Sequence, residues 1–297
     1  MSAGPIDASI AMSAWPAIAA ARAHDQATRA PFFVGEAGAA ALPVGSVARA
    51  HLPALRRWPQ WLQVDGRGVT LHCAAAARAD AMAAMHDVLR AEGLIVAWRD
   101  EAFALFTVQG VPTGVSIERA AARFWGSLTL GAHCNGYVAD CSGRPAQLWI
   151  ARRSFTKATD PGKLDNLVGG GVPAGQSPRD TVVREAWEEA GLVPAQLQGL
   201  ARGRVIRLLR DIPEGLQREW IHVYDLALPA SVTPRNQDGE VAELALQPLP
   251  QALALAATDA MTVDASLVTL DFALRHGLVD DPAVAAAAAP LFDGLAA

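Results

Sequence analysis

The chain has 297 residues, 52% of them hydrophobic and 19% charged, which is enough apolar material for one large or two ordinary cores and excludes a disordered or fibrous protein. Its net charge of −5 comes from 25 Lys and Arg against 30 Asp and Glu, so no global basic field exists to hold nucleic acid or an anionic membrane, and any anionic ligand must be small and bound locally. Three cysteines, Cys73, Cys134 and Cys141, with no CxxC pair, point away from a disulfide framework or a standard zinc site and fit a reducing cytoplasm.

Residues 11–21 are mildly apolar, but Asp7 precedes them, no basic residue comes before Arg22 and Pro16 interrupts them, so a secretory signal is not expected. The first third reads as mixed α and β. Residues 77–91 place Ala81, Met82, Met85, Val88 and Leu89 at helical spacing, 103–108 read as a strand and 116–125 as a helix. An apolar run resumes at 136–139, CSGRP at 141–145 is a turn, and 147–152 read as a strand. These changes place a domain boundary near residue 130, with an N-terminal α+β domain over 1–130 and a second domain over 131–297.

Beyond the boundary a basic loop, 153–163, leads into a glycine-rich segment at 167–171. A helix then begins near Pro178 with Ser177 as N-cap and Asp180 in its first turn, and stops at Gly191. Strands at 203–209 and 219–228 flank a turn at 211–215, and a further strand is expected around 240–246. Helices start near Gln251 and Asp264, and the alanine-rich stretch 283–292 is too short, and too broken by Pro290, to cross a bilayer. Strands with helices on two faces imply an α/β/α sandwich.

The segment GGVPAGQSPRDTVVREAWEEAGL, 170–192, carries the chemistry. Glu185, Glu188 and Glu189 stand at i, i+3 and i+4, so one helix face presents all three carboxylates, and Arg184 neutralises only part of their repulsion. Hard oxygen ligands crowded in this way suit Mg²⁺ or Mn²⁺, which also take phosphate oxygens and water, so the expected chemistry is metal-assisted hydrolysis of a phosphoanhydride.

The segment resembles the Nudix box: a glycine, five residues, Glu, seven residues, then Arg-Glu-apolar-x-Glu-Glu-x-Gly-apolar. Gly170, Arg184, Glu185, Ala186, Glu188, Glu189, Gly191 and Leu192 are in register, and Gln176 departs from the pattern where its first Glu belongs. The resemblance implies an α/β Nudix fold, an α/β/α sandwich with a mixed sheet preceded here by the smaller α+β domain. It implies Glu185, Glu188 and Glu189 as metal ligands, and Glu189 or Glu240 as the group that orients water or takes its proton. Arg184 would then fix the glutamates. The stretches 133–140, 149–178, 224–228 and 236–244 further resemble Nudix domains related to thiamine diphosphate metabolism, found fused to thiamine pyrophosphokinase or alone. That subgroup implies cleavage of thiamine diphosphate, or of its oxidised forms, to the monophosphate and phosphate.

Around the box, Arg152, Arg153, Lys157 and Lys163 are candidates to face a diphosphate, and Gly169, Gly170 and Gly171 allow close backbone approach to metal and phosphate. His133, Cys134 and Cys141 are too irregularly spaced to be taken as a metal cluster, and His222 reads as a strand-surface residue rather than a base. Selectivity for a neutral, oxidised thiamine ring calls for an apolar wall without a carboxylate, for which Trp98 and Trp125 are candidates unless they pack in the core. The expected partner is a small-molecule diphosphate, with no nucleic acid and no membrane, and the sequence leaves the oligomeric state open. Three alternatives stand: a Nudix hydrolase of another nucleoside diphosphate derivative, a non-catalytic diphosphate-binding module suggested by Gln176, and an isopentenyl diphosphate isomerase-like enzyme. The last needs a catalytic cysteine, and the surroundings of Cys134 and Cys141 do not suggest one.

Overall fold

The computed structural model describes residues 15–35 and 40–293, so positions 11–14 of the apolar N-terminal stretch lie outside the described residues. The first helix, α1 (Pro16–Ala20), is followed by β1 (Arg29–Val34), β2 (Leu42–Ala48), the short α2 (Leu52–Leu55), β3 (Leu62–Asp65) and β4 (Gly68–Leu71). Then come α3 (Arg78–Ala91), the hairpin of β5 (Ala102–Phe106) and β6 (Pro112–Glu118), and α4 (Arg119–Trp125). The four early strands form a sheet in the order β2-β1-β4-β3. Phe32, Leu71, Met82, Met85, Leu89 and Trp125 fill the core between this sheet, the hairpin and the helices.

The expected helix over 116–125 is realised only from Arg119. Up to Glu118 the chain alternates, with Val115 and Ile117 turned inward at period two, and pairs with β5 instead. Glu118 then caps α4, accepting the Ala120 N–H, and Gly126 ends it in the left-handed conformation.

The second unit is a six-strand path with helices on both faces. Its strands are β7 (Leu128–Ala139), β8 (Pro145–Arg153), β9 (Leu164–Asp165), β10 (Val168–Gly171), β11 (Ala201–Ile212), β12 (Gly215–Ala227), β13 (Val241–Pro248) and β14 (Phe292–Asp293). The order is β13-β8-β7-β12-β11-β14, with β10 beside β7 and β9 beside β8. The β7–β12 pair is parallel and the others are antiparallel, so the sheet is mixed, as expected of the α/β/α sandwich.

On one face α5 (Pro178–Ala190) buries Val182, Ala186 and Ala190 against Val168, Tyr224 and Leu226. On the other face α6 (Leu249–Ala256), α7 (Val263–Arg275) and α8 (Pro282–Ala288) cover Ile206, Ile221 and Val223. Leu267, Leu270 and Phe272 of α7 are fully enclosed, each worth about 1.5–3 kcal/mol of burial. The chain start crosses to this second core: Trp15 donates its indole N–H to Ser266 Oγ at 2.7 Å, and the Leu209 and Asp211 amides donate to the carbonyls of Ala21 and Ala23. No helix among the described residues is long and apolar enough to cross a membrane.

Candidate active site

The site forms where the sheet splits. Along one edge of β7, β8 pairs with residues 136–139 and β10 with 131–134, so the two neighbours diverge and the loop 154–163 fills the opening. The start of β13 closes it, because the Ser154 amide donates to the Glu240 carbonyl at 2.9 Å.

Helix α5 is fixed at both ends. Ser177 and Asp180 exchange side-chain and backbone hydrogen bonds in a capping box, with Pro178 at the first helical position. Gly191 ends the helix at φ 63°, where a β-carbon would lie 2.8 Å from the Arg235 carbonyl oxygen. Glu185 and Glu189 meet the glycine strand, and Glu188 stands beside them in contact with Arg184.

Glu189 is 6% exposed and accepts the Gly169 amide through Oε2 at 2.8 Å, while its Oε1 lies 3.8 Å from Lys157 Nζ. Lys157 also pairs with Glu240. Arg184 donates to Glu185 Oε1 at 2.8 Å and to Glu188 Oε2 at 2.6 Å. Gly170 carries no side chain for a steric reason: a β-carbon there would lie 2.1 Å from Glu185 Oε1. At Gly171 a β-carbon would lie 2.5 Å from the Phe103 ring and 3.4 Å from the Arg119 guanidinium carbon.

The four carboxylates are divided into two pairs, each bridged by one cation. Among the described residues no three carboxylate, imidazole or thiolate groups close on a single point. Burial pushes Glu185 up to about 7, helped by Glu188 and opposed by Arg184. Glu189 is pushed well above the usual carboxylate range, first by burial and then by Glu185, against the pull of Lys157 and the Gly169 amide. Burial also works to raise Glu240, but the hydrogen bond and charge of Lys157 outweigh it, with Arg99 and Arg119 adding, and its carboxyl ends below the usual value. Four acidic side chains thus share two cations, and two of them are held where their negative charge is unfavourable. Surplus hard-oxygen charge of this kind fits a divalent cation.

Of the four basic residues expected to face a diphosphate, Lys157 pairs with the carboxylate cluster, and Arg153 lines the same small cavity as Lys157, Glu189 and Glu240. Arg153 donates to Asp165 Oδ2 and to the carbonyls of Thr159 and Asp160, and so folds the loop around itself. Arg152 donates to the Gly162 carbonyl at 2.9 Å and lies 3.5 Å from Glu243, and Lys163 pairs with Asp160 at 3.2 Å. All three of these residues also shape the loop.

Gln176 is exposed and accepts from the Thr181 hydroxyl at 3.3 Å. His133 bonds Asn166 at 3.0 Å, whereas Cys134 is buried and Cys141 lies on an exposed turn, so the three form no cluster. His222 lies half-buried in β12, and burial pushes its imidazole down to about 4. Trp125 is wholly enclosed in the N-terminal core and cannot be a wall of the site. Trp98 borders a cleft of about 360 Å³ together with Lys157 and Glu240. The N-terminal unit also brings the charges of Arg99 and Arg119 to bear on Glu240, Arg119 being held by Glu101 at 2.8 Å. Nothing local in the sequence marks these two arginines, because their nearness to Glu240 is created by the packing of the two units.

Residues 135–268 match the profile described as the NUDIX domain. That match falls within the second unit. Residues 14–128, which precede it, match a domain of unknown function, DUF4743. Relatives of the chain include Nudix hydrolase 20, chloroplastic, of Arabidopsis thaliana, 39% identical over 73% of this chain and 58% of that one. Nudix hydrolase 24, chloroplastic, of the same plant is 37% identical over 68% of this chain and 55% of its own. The chain therefore spans somewhat more than half the length of these relatives. Among solved structures, DR0079 of Deinococcus radiodurans is 26% identical, with a TM-score of 0.44 over 58% of this chain and 99% of its own.

Proposed function

We propose that the chain is a divalent-metal-dependent hydrolase that cleaves thiamine diphosphate, or its oxidised derivatives, to the monophosphate and phosphate. The observation that carries hydrolysis is the pairing of Glu185 and Glu189 in surroundings that disfavour their charge, beside Lys157 and Glu240. Glu185, Glu188 and Glu189 would hold Mg²⁺ or Mn²⁺, which when bound supplies charge to polarise the diphosphate and acidify water. Glu240, kept ionised by Lys157, is the available proton acceptor, and Glu189 shares in orienting the water. Arg184 sets the rotamers of Glu185 and Glu188.

The thiamine reading is supported by the positions of the stretches that carry the resemblance. Residues 133–140, 149–178 and 236–244 supply β7, the loop with Lys157, the glycine strand and Glu240, which together surround the carboxylates. Cys134 and Cys141 are both distant in character from an isomerase cysteine, one buried and one on an open turn. Cys73, Cys134 and Cys141 are all free thiols, which supports a reducing compartment, the cytoplasm in our reading.

The test is phosphate release with and without Mg²⁺ from thiamine diphosphate, its oxidised (oxo-type) form, ADP-ribose and nucleoside diphosphates. The expected result is metal-dependent release of phosphate and a monophosphate from the thiamine compounds. Preference for ADP-ribose or nucleoside diphosphates refutes the substrate, and no turnover with any of them refutes hydrolysis.

A further inference from the structure

The N-terminal unit is fastened to the rim of the carboxylate cluster. The Ala174 amide, just beyond the glycine strand, donates to the Ala102 carbonyl of β5 at 2.8 Å. On Gly171 a β-carbon would lie 2.5 Å from the ring of Phe103, in the same strand β5, and 3.4 Å from the Arg119 guanidinium carbon. Strand β5 and the start of α4 therefore lie against the strand whose other glycines, Gly169 and Gly170, meet Glu189 and Glu185.

Two arginines stand on this rim in fixed positions. The Glu118 carboxylate accepts the amides of Arg99 at 3.0 Å, Glu101 at 3.1 Å and Ala120 at 3.3 Å, so one side chain holds both the 99–101 turn and the first turn of α4. The Arg119 amide in turn donates to the Glu101 carbonyl at 2.8 Å. Ala97 and Asp100, close on either side of Arg99, take φ of 58° and 57°, a left-handed conformation that is costly for a residue with a β-carbon. Arg119 donates through Nη1 to Glu101 and lies over the Phe103 ring, 5.4 Å from its centroid. Its Nε and Nη2 make no hydrogen bond among the described residues, and the side chain is 41% exposed. Arg99 is exposed, its side chain has no hydrogen bond or ion pair among the described residues, and it lines the cleft of about 360 Å³ that holds Lys157 and Glu240. Asp238, the other acid of that cleft, is turned to the Glu240 amide at 2.8 Å. Arg123 and Arg210, which line the adjoining cleft of about 500 Å³ together with Arg99 and Arg119, are by contrast taken up by Glu219 and Gln217.

Charge says what the two free guanidinium edges are for. Glu185, Glu188, Glu189 and Glu240 stand against Arg184 and Lys157, which leaves two negative charges, the amount one divalent cation cancels. A diphosphate adds further negative charge next to those carboxylates, and cations outside the cluster must meet it. The fields of Arg99 and Arg119 already extend there: both favour the ionised form of Glu240, and Arg119 also that of Glu185. We propose that Arg99 and Arg119 bind phosphate oxygens of the substrate from the N-terminal side of the cleft, so that the diphosphate site is completed by both units. The planar fork of a guanidinium suits a pair of phosphate oxygens, and the bonds around Glu118 and Glu101 set the two backbones in advance of binding. The proposal rests on the chain acting on a diphosphate.

The experiment uses the full chain and the variants Arg99→Gln, Arg119→Gln and both together. Arg67→Gln, on the β3–β4 turn with its side chain 80% exposed, makes the same change in net charge away from the cleft. Binding of methylenediphosphonate, a diphosphate analogue whose P–C–P bridge resists hydrolysis, is measured by calorimetry at saturating Mg²⁺, beside the steady-state kinetics of thiamine diphosphate and a thermal melt. Each single variant is expected to bind the analogue ~10-fold more weakly and the double variant ~100-fold, with KM rising more than kcat falls and Arg67→Gln unchanged. Should Arg119→Gln lower the melting temperature through loss of its Glu101 contact, Arg99→Gln decides alone, because its side chain supports nothing in the fold. Equal analogue binding by all the proteins, equal weakening by Arg67→Gln, or no binding by the unsubstituted protein overturns the proposal. So does unaltered analogue binding with a displaced acid limb of the pH profile, which would mean that the arginines act only on Glu240. Hydrolysis indifferent to both arginines removes the clamp and leaves the hydrolase standing. Analogue binding that needs them, in a protein that hydrolyses no diphosphate, does the reverse.

Discussion

Glu189→Gln separates a catalytic from a structural reading of the carboxylate cluster, because the two predict opposite changes in stability. The Glu189 carboxylate is 6% exposed, and burial is the largest influence on its ionisation, with Glu185 adding to it. Ionised in the fold, it costs stability that the Gly169 amide at 2.8 Å and Lys157 at 3.8 Å only partly return. Glutamine keeps the shape and an oxygen for the Gly169 amide, and removes the charge. The substitution is therefore expected to leave the melting temperature unchanged or slightly higher. Turnover is expected to fall by at least ~10²-fold, about 2.7 kcal/mol of transition-state stabilisation, because the proposed metal site loses one charged ligand. Phosphate release at saturating Mg²⁺ and a thermal melt of the same preparation supply both numbers. Unchanged turnover refutes the site, and a lowered melting temperature that accounts for the lost activity refutes the claim that the residue is kept for chemistry at the expense of the fold.

Gly170→Ala places a methyl group 2.1 Å from Glu185 Oε1, more than ~1 Å inside ordinary contact, so the carboxylate must move while the backbone need not. A displacement of this size is expected to lower kcat/KM by ~10²-fold and to raise the Mg²⁺ concentration needed, and a metal titration with unaltered midpoint and rate contradicts this. Gln176→Glu changes an exposed side chain outside the carboxylate cluster and is expected to alter turnover only slightly; a large gain would show that the natural residue has degraded the catalyst. His86, buried and accepting the Trp125 indole N–H at 2.8 Å through Nε2, is pushed down to about 4 by burial. The unfolded chain takes up that proton near 6.5, so the contribution is fully present above about 6.5 and is lost as pH falls toward 4, to a total of ~3 kcal/mol. His86→Gln keeps an acceptor and is expected to flatten the fall in melting temperature between pH 7 and 5, and an identical slope in both proteins contradicts it.

What the sequence made legible was local. The capping box at Ser177, the stop at Gly191 and the helical spacing of Glu185, Glu188 and Glu189 are short-range features, and the structure realises α5 within one residue of the expectation. The strands around it follow from alternation and turns, although β10 emerges from glycines that carry no strand propensity and are held by pairing with β7. The basic loop shows where such reading stops. Arg152, Arg153, Lys157 and Lys163 look equivalent in the chain, yet the carbonyls of Thr159, Asp160 and Gly162 take up the two arginines, and Lys157 is left to span Glu189 and Glu240. Backbone acceptors leave no trace in composition, so a count of positive charges cannot say which of them faces a ligand.

The same limit governs specificity. The segment 170–192 carries the three glutamates of α5, but the cleft of about 500 Å³ between the two units is lined from elsewhere: Arg99 and Arg123 from the N-terminal unit, Gln217 from β12 and Asp264 from α7. Trp125, chosen for its chemistry as a wall, is spent on the N-terminal core, stacking on Phe32 at 4.5 Å. That core in turn holds α4, whose Arg119 and Arg123 face the second unit. Phe32 and Trp125 therefore act by keeping that helix, and its arginines, in place, whereas Trp98 and Arg99 reach the cleft beside Lys157 and Glu240 from outside it.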